Sequence, residues 1–294
     1  MIRERDPLNR IVDVSIYGLL ALLALMCAIP FIHVLAVSLS EANAVITNRV
    51  GLMPINTNFD NYVFVLRNSQ FLDSFFTSVV RVVVGVTVTV SLMVITAYPL
   101  SLDRIEMPGR TFFKFLLLFG ALFSGGLIPT FLAYRNLGLI NSFWVLILPT
   151  AINVFQTIII INFFRAIPSE LPEAAMLDGA SHWQILTRVY LPVSVPAIAT
   201  VALFTAVGHW NEWFSALVYL SRVSDWPLQT YLYSLLTQAQ MDLMGNTGGL
   251  SIPQISPEGI QAAFIFVSTV PILLVYPFMQ RYFVTGLTLG SVKG

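Results

Sequence analysis

Long apolar stretches are the feature that most constrains how this chain can fold. A helix needs about 20 mostly apolar residues to cross the hydrocarbon core of a bilayer. Six stretches of this kind occur, at residues 14–38, 77–100, 115–134, 141–163, 190–210 and 260–280. Of the 294 residues, 56% are hydrophobic and only 10% are charged, whereas about 25% are charged in soluble domains. The sequence therefore predicts an all-α integral membrane protein with six transmembrane helices.

Basic residues in the short connections predict the orientation, because cytoplasmic loops carry an excess of lysine and arginine. Three arginines precede the first stretch, three basic residues lie in the 101–114 connection and two lie in the 165–190 loop. We therefore expect both termini in the cytoplasm and the longer loops, 39–74 and 212–259, outside. The loop at 39–74 is expected to form small helices on the membrane surface. The first stretch is too long for a removable signal peptide and lacks its cleavage pattern.

Nothing in the sequence divides the chain into separate domains. It has no repeat of fixed period and no low-complexity linker, so we expect one membrane domain over residues 1–294, with its core at 70–285. Prolines recur within the apolar stretches and should kink the helices, since each removes a backbone hydrogen bond. These prolines are Pro30, Pro99, Pro129, Pro149, Pro196, Pro271 and Pro277.

Several kinds of site are excluded by what the sequence lacks. A net charge of zero provides no basic face for nucleic acid. Cys27 is alone and the histidines lack metal-site spacing, so we expect neither a disulfide nor a bound metal. A P-loop needs a lysine between a glycine and a serine or threonine, but Lys114 and Lys293 follow Phe113 and Val292. The chain is therefore expected not to bind ATP through this motif.

The polar loop at 165–190 predicts two short helices that meet at a glycine. The first is expected to begin at about Leu171, capped by Ser169 or a neighbour, with a proline and two glutamates in its first turn. It should end at Gly179, because glycine commonly terminates helices. The following Ser-His-Trp-Gln, 181–184, has the spacing of a capping box and should start the second helix.

Two apolar residues of the first helix, Met176 and Leu177, lie in a segment expected outside the bilayer. Ala174 and Ala175 beside them would let another surface approach closely. Apolar side chains exposed in this way are typical of a docking surface for a partner protein. An interfacial loop that only packs against the helix bundle would have the same composition, so the residue types leave both interpretations open.

The spacing within this loop resembles a family signature. Glu173-Ala-Ala is followed by Gly179 and, after a gap of nine residues, by Val189-x-Leu191-Pro192. This is similar to the EAA loop of the membrane subunits of bacterial ABC importers, which usually have isoleucine in place of Val189. Other segments resemble the carbohydrate-uptake branch and its smaller, maltose-type permease. They are residues 163–171, 193–196, His209–Phe214, with its Trp-Asn-Glu box, and Pro277–Gly294.

The resemblance implies how the chain is driven. The loop would be a cytoplasmic helix–glycine–helix coupling loop that docks in a cleft of an ATPase homodimer. The ATPase would bind the ATP and Mg²⁺, and this chain would bind no cofactor. The coupling residues would be Glu173, Ala174, Ala175, Met176, Leu177, Asp178 and Gly179. The C-terminal tail would also contact the ATPase, through Gly290, Ser291, Val292, Lys293 and Gly294.

The resemblance also implies partners and a location. A type I importer places such a subunit in the bacterial inner membrane, as a multi-pass protein beside a second homologous permease. An external solute-binding protein would deliver a sugar or oligosaccharide. Residues 257–263 and the C-terminal ending resemble permeases for polysaccharide breakdown products, including acidic oligosaccharides of the alginate type. Few cationic side chains lie within the apolar stretches to meet such an acidic sugar.

Polar residues at membrane depth are candidates for the transport pathway, because their burial is costly unless they are satisfied. Two such residues lie in the fourth stretch and others at the outer end of the fifth. Aromatic residues at the membrane interface also serve as simple anchors. The candidates for a pathway or gate are Trp210, Asn211, Glu212, Trp213, Asn153 and Gln156.

Two other classes of membrane protein would have different sequences. A self-sufficient secondary transporter would carry ionisable residues at the centres of its spans and inverted half-repeats, and neither is evident. A membrane enzyme would need clustered catalytic groups near one face. Asp103 and Glu106 lie together, but beside Arg104 and Arg110 they have the pattern of ordinary solvated charges. The sequence therefore favours the importer subunit.

Overall fold

The computed structural model describes residues 7–102, 109–245 and 256–291. All regular secondary structure in these ranges is helical, as the sequence predicts. The chain divides into two compact units, residues 1–69 with 234–270 and residues 70–233 with 271–294. In chain order the helices are α1 (Pro7–Ser38), α2 (Ala42–Ile46), α3 (Asp60–Arg67), α4 (Ser69–Ser101), α5 (Arg110–Leu122), α6 (Leu127–Asn136), α7 (Val154–Arg165), α8 (Glu170–Leu177), α9 (His182–Ile185), α10 (Leu191–Val193), α11 (Val195–Asn211), α12 (Phe214–Tyr219), α13 (Leu228–Gly245) and α14 (Pro257–Ser291).

The first unit begins with the long apolar helix α1. Residues Arg10–Ser38 are long and apolar enough to cross a membrane, and the side chains from Arg10 to His33 are exposed, apart from the half-buried Ala28. Because α1 closes its own backbone hydrogen bonds, such a helix is stable in an apolar medium. The small helices predicted between residues 39 and 74 are α2 and α3. The last six residues of that predicted loop, however, belong to α4, which begins at Ser69.

Asn61 holds the first unit together at the end of α1. Its side chain is 3% exposed, and its Nδ2 donates a hydrogen bond to the Ser38 carbonyl at 3.0 Å. The neighbouring Tyr62 hydroxyl lies 2.7 Å from Ser38 Oγ. Gly259 of α14 lets the amide approach, because a β carbon at residue 259 would lie 2.8 Å from Asn61 Nδ2.

In the second unit, residues 115–134 do not form the single helix that the sequence predicts. α5 ends at Leu122 and α6 begins at Leu127. Gly126 between them has a φ of +79°, and its N–H donates to Ser124 Oγ at 3.3 Å. Glycine adopts this left-handed conformation without steric cost. The Ser-Gly-Gly sequence therefore breaks the helix within a continuous apolar stretch.

The fourth and fifth predicted stretches are bent. In the fourth stretch, α7 is preceded by two 3₁₀ turns, Phe143–Leu146 and Leu148–Thr150, and the angle between the turns and α7 is 52°. In the fifth stretch, the angle between the segment His182–Val193 and α11 is 83°. Pro149 and Pro196 lie beside these breaks, where their missing N–H groups cannot continue a helix.

The described residues thus contain three unbroken helices that could cross a membrane, and five candidates if each bent pair is one span. Besides the span in α1, the unbroken candidates are Ser69–Ser101 and Pro257–Val275. Among the described residues of the outer loop predicted at 212–259, Phe214–Tyr219 form α12 and Leu228–Gly245 form α13, and α14 begins at Pro257.

The main core of the second unit lies where α4, α7, α11 and the 182–193 segment meet. Apolar burial stabilises such a core by about 25 cal/mol per Å² removed from water. Because the core includes residues of the 165–190 loop, it fixes that loop to the helices that carry the apolar stretches. Its buried residues are Met93, Val94, Ala97, Tyr98, Leu100, Ile160, Ile161, Phe164, Ile185, Leu186, Tyr190 and Val201.

Candidate functional site

The predicted coupling loop, residues 165–190, contains α8, which begins at Glu170, one residue before the predicted start. Ser169 occupies the N-cap position, but its side chain makes no capping hydrogen bond, so the predicted side-chain cap is wrong. The Ser169 backbone is helical (φ −64°, ψ −21°), whereas a side-chain cap requires extended backbone at this position. The Ser169 carbonyl instead accepts the N–H of Glu173 at 3.2 Å.

The C-terminal end of α8 is closed at Gly179, as predicted. Gly179 has a φ of +78°, and its N–H donates to the Met176 carbonyl at 3.0 Å. The N–H of Ala180 donates to the Ala175 carbonyl at 2.9 Å. This pair of hydrogen bonds is a Schellman motif, which satisfies carbonyls at a helix end and requires a left-handed residue.

The predicted capping box starts α9. The Gln184 N–H donates to Ser181 Oγ at 3.3 Å, and the Ser181 N–H donates to Gln184 Oε1 at 2.8 Å. The two residues therefore satisfy each other's backbone donors. With α8 closed by Gly179 and α9 opened by Ser181, the change of direction between the helices is fixed by local contacts.

The side chains of α8 divide between the core and the surface. Pro172 is buried, and Ala175 packs against the main core. Met176 is 41% exposed and Leu177 is 90% exposed. Met176 and Leu177 are thus left exposed, whereas Pro172 and Ala175 of the same helix pack against the rest of the chain. Glu173 is half-buried, and Ala174, Asp178 and Gly179 are exposed.

A cavity of about 330 Å³ lies between α8 and the segment that follows Gly179. Its wall includes Ala175, Ile185 and Val189. Asp178, Gln184 and Arg188 provide polar and charged groups around it. The coupling loop therefore combines a projecting apolar side chain, Leu177, with a concave polar surface.

The residues after α9 connect the coupling loop to the core. Leu186–Tyr190 form a π-helical turn, a geometry that is rare and frequent at functional sites. The Tyr190 ring lies edge-on to Tyr98 at 5.1 Å and to Phe164 at 5.2 Å between centroids. The Tyr98 hydroxyl also lies 3.2 Å from His182 Nδ1. Packed rings thus connect the loop to α4 and α7.

The Trp-Asn-Glu box lies where α11 ends. Trp210 is 7% exposed and packs edge-on to Phe75 with centroids 5.9 Å apart. Asn211 is exposed. Trp213 is half-buried and stacks on Tyr233 with centroids 4.0 Å apart. The structure therefore separates the two tryptophans, one in the packing of α4 and α11 and one in a stacked pair.

Glu212 binds Arg81, a partner that sequence analysis did not assign. Arg81 is 2% exposed in α4. Its Nη1 donates to the Glu212 carbonyl at 2.9 Å, and its Nη2 donates to Glu212 Oε2 at 2.5 Å and to the Leu146 carbonyl at 3.4 Å. The available signal was the arginine within an apolar stretch, because such a charge requires a partner.

The carboxyl group of Glu212 is held in its ionised form. Burial alone would raise its pKa, but the charge and hydrogen bonds of Arg81 lower it, as does the N–H of Ser215, which donates to Glu212 Oε1 at 2.7 Å. The net result is a pKa below the ordinary value of glutamate. The Glu212 carboxylate is therefore favoured in the charged form that accepts hydrogen bonds from Arg81.

The two polar candidates of the fourth stretch lie at the start of α7. Asn153 is the N-cap residue, and its Oδ1 accepts the N–H of Gln156 at 3.1 Å. Gln156 Oε1 accepts the hydroxyl of Thr205 in α11 at 3.0 Å. Both side chains thus have hydrogen-bond partners within the chain. Among the described residues, no hydrogen bond joins either of them to the Trp-Asn-Glu box.

Some candidates fall outside the described residues. Gly290 and Ser291 belong to the backbone of α14, whereas Val292, Lys293 and Gly294 lie outside the described ranges, as do Asp103 and Glu106. Within the described part of the chain, no group of three or more His, Cys, Asp or Glu side chains could hold a metal ion.

Comparison with known proteins identifies the family. Residues 62–288 match the family described as binding-protein-dependent transport system inner membrane component. The chain is 43% identical over 291 residues to the polygalacturonan/rhamnogalacturonan transport system permease protein YtcP of Bacillus subtilis (strain 168), covering 97% of this chain and 99% of that protein. It is 40% identical over 287 residues to protein LplC of Bacillus subtilis (strain 168), covering 97% and 96%.

A solved structure agrees with these relatives. The chain is similar to one chain in the crystal structure of a bacterial ABC transporter involved in the import of the acidic polysaccharide alginate. The TM-score is 0.83 and the sequence identity is 34%. The match covers 95% of this chain and 98% of that chain. The resemblance inferred from the EAA loop is thus confirmed, and the importer is favoured over the secondary transporter and the membrane enzyme. The chain belongs to the family of inner membrane components of binding-protein-dependent transport systems and is a multi-pass permease subunit of an ABC importer.

Proposed function

We propose that this permease subunit forms half of the translocation path of a sugar or oligosaccharide importer. A second homologous permease would form the other half. The chain would be one membrane domain over residues 1–294, with both termini in the cytoplasm and six spans, α5 and α6 together forming the third. The support for six spans is the three unbroken and two bent candidates, together with the apolar stretch at 115–134.

We further propose that α8 docks into an ATPase homodimer, which binds the ATP and Mg²⁺ of the transport cycle. The observation that carries this proposal is Leu177, an apolar side chain 90% exposed at the end of a helix closed by a Schellman motif. Covering such a side chain with a partner is favourable. The coupling surface would run from Glu173 to Gly179, and the tail from Gly290 to Gly294 would contact the same ATPase.

A substitution at Leu177 tests the docking proposal. Leu177→Asp should abolish copurification of the ATPase with this chain, because it places a charge in an apolar contact. Leu137→Asp is a matched control, since Leu137 is 72% exposed after α6 and lies outside the coupling loop. Equal copurification of the ATPase with both variants and the parent chain would overturn the proposal.

The outer end of the pathway is proposed to include the Trp-Asn-Glu box. Asn211 is exposed and could meet a sugar directly, while Trp213 offers one ring face beyond its stacked partner Tyr233. Trp210 is buried against Phe75 and is better suited to closing the path. Asn153 and Gln156 form hydrogen bonds within the chain. We propose that they contribute to the path only indirectly, by shaping the start of α7. An external solute-binding protein would deliver the sugar at this end.

The substrate is proposed to be an acidic oligosaccharide. The names of two similar proteins refer to acidic polysaccharides, polygalacturonan and alginate, at 43% and 34% identity to this chain. The one cation described within the α4 span, Arg81, is paired with Glu212, so recognition of the carboxylates would rest mainly with the solute-binding protein.

Binding-protein-stimulated ATP hydrolysis tests the substrate class. In a reconstituted complex, the solute-binding protein loaded with galacturonate or alginate oligosaccharides should stimulate hydrolysis. Stimulation by neutral malto-oligosaccharides of the same length, and not by the acidic ones, would contradict the proposal of an acidic substrate and leave the permease function intact.

A further inference from the structure

Arg81 binds Glu212 in two ways. One amino group of its guanidinium donates to the backbone carbonyl of Glu212 and the other to its carboxylate, at 2.9 and 2.5 Å. The planar fork of arginine suits such two-point recognition, whereas the single ammonium of lysine does not. Because the Arg81 side chain is 2% exposed and the Glu212 side chain is 30% exposed, these contacts are partly shielded from water and are stronger than contacts at the surface.

All the polar atoms of Glu212 are engaged at this position. Its N–H donates to the Gly208 carbonyl at 3.1 Å, which is the last hydrogen bond of α11. Its Oε1 accepts the N–H of Ser215 at 2.7 Å, which caps the start of α12. Its carbonyl and Oε2 are held by Arg81. Glu212 is therefore the junction between two helices, and Arg81 supplies half of its contacts.

The contact to the carbonyl depends on the helix being broken. Glu212 has a ψ of 121°, which is extended backbone and turns its carbonyl out of the helix direction. In a continuous helix this carbonyl would accept the N–H of residue 216 and would point along the helix axis. Arg81 thus stabilises the broken backbone against the helical alternative, in addition to pairing with the carboxylate.

A direct role of Arg81 in binding substrate does not agree with its surroundings. The Arg81 side chain is 2% exposed, its Nη atoms are engaged by Glu212 and Leu146, and its Nε, which has no hydrogen-bond partner among the described residues, is buried and closed to a sugar carboxylate. The same burial makes loss of one partner costly, because the other charge would be left buried and unpaired.

We infer that Arg81 is a positioning residue for transport, which fixes the backbone break at Glu212 and thereby the direction in which Trp213 and α12 leave the end of α11. The inference rests on the proposed function, in which this segment lies at the outer end of the path. It assigns to Arg81 the role of setting the backbone geometry of the segment that follows α11.

The test uses the complete reconstituted complex in nanodiscs and compares Arg81→Gln with Arg135→Gln, whose arginine is exposed in the last turn of α6. In Arg81→Gln the amide hydrogens of residues 212–216 should exchange about tenfold to hundredfold faster, as expected for loss of hydrogen bonds to a charged group. Exchange in α7 should be unchanged. Hydrolysis stimulated by the loaded solute-binding protein should fall about tenfold or more.

The double variant Arg81→Glu with Glu212→Arg distinguishes two-point positioning from a simple ion pair. It restores opposite charges, but a glutamate at residue 81 cannot donate to the carbonyl of residue 212. We expect the double variant to remain as defective as Arg81→Gln in both measurements. Recovery of stimulated hydrolysis in the double variant would overturn the inference, as would normal stimulation in Arg81→Gln.

Two further outcomes are distinguishable. Faster exchange throughout the chain in Arg81→Gln would show a general folding defect and overturn the assignment of a local role. A parent complex that does not respond to any loaded solute-binding protein would overturn the proposed function, and the inference with it, whatever the exchange of residues 212–216.

Discussion

The imidazole ring of His209 lies directly against the backbone of Gly85. A β carbon at residue 85 would lie 2.6 Å from His209 Nε2 and 2.7 Å from Cδ2. His209 is 6% exposed, so its ring has little room to withdraw. Glycine at residue 85 is therefore what allows α11 to carry a buried histidine against α4, immediately before the Trp-Asn-Glu box.

Gly85→Ala is expected to destabilise the protein by about 1–3 kcal/mol, the usual cost of overpacking a core. The measurement is the Tm of the purified protein in detergent. The double variant Gly85→Ala with His209→Ala should recover part of the loss, because the ring that obstructs the methyl group is gone.

Gly208→Ala is the matched control for this prediction. Gly208 neighbours His209 in the same helix, and a β carbon there would meet nothing within 4 Å. Its Tm should be unchanged or higher, since alanine is favoured over glycine in helices by about 0.5–1 kcal/mol. Equal Tm values for Gly85→Ala and Gly208→Ala would show that the close approach of His209 has no energetic consequence.

The capping box at Ser181 and Gln184 is expected to hold the start of α9. Ser181→Ala should cost about 0.5–2 kcal/mol locally, observed as faster amide exchange at residues 181–185. Thr187→Ala serves as the comparison, because the Thr187 hydroxyl bonds back to the Trp183 carbonyl at 2.8 Å and caps nothing. If exchange at residues 181–185 is as slow in Ser181→Ala as in Thr187→Ala, the box does not stabilise the loop.

Asn61 is expected to be required for the packing of the first unit. Asn61→Ala leaves the buried Ser38 carbonyl without the donor that it has at 3.0 Å, which should cost about 1–3 kcal/mol. Asn43→Ala, at an exposed position in α2, should change the Tm little. Gly259→Ala should act in the same direction as Asn61→Ala, because its methyl group would displace the amide.

The parts of the fold that depend on local chemistry could be predicted from the sequence. The helix end at Gly179 and the capping box at Ser181 require only the residues within four positions of each other. The exposure of Leu177 was one of the two interpretations that its residue type left open, because other apolar residues of the same loop, Ile185 and Leu186, enter the core. The break at 123–126 was also encoded locally, in Ser124, Gly125 and Gly126, but the continuous hydropathy concealed it.

The features that depend on tertiary contacts could not be predicted in the same way. Arg81 and Glu212 are 131 residues apart in the chain. The residues around either one do not indicate which distant residue it will pair with. The burial of Trp210 and the exposure of Asn211 depend on how α11 packs against α4, which periodicity does not determine. Ser169 lacks its predicted side-chain cap because its backbone is already helical, a detail that residue type cannot reveal.

The proposed coupling of this permease to an ATPase is tested most directly by ATP hydrolysis in the reconstituted complex with Gly179→Ala. Gly179 has a φ of +78° and Gly138, between α6 and the first 3₁₀ turn, has a φ of +69°. Alanine at either position costs roughly 1–2 kcal/mol of backbone strain, so Gly138→Ala is a control for strain alone. Hydrolysis stimulated by the loaded solute-binding protein should be lost in Gly179→Ala and retained in Gly138→Ala. Stimulation equal to that of the parent complex in Gly179→Ala would contradict the assignment of residues 173–179 as the coupling element.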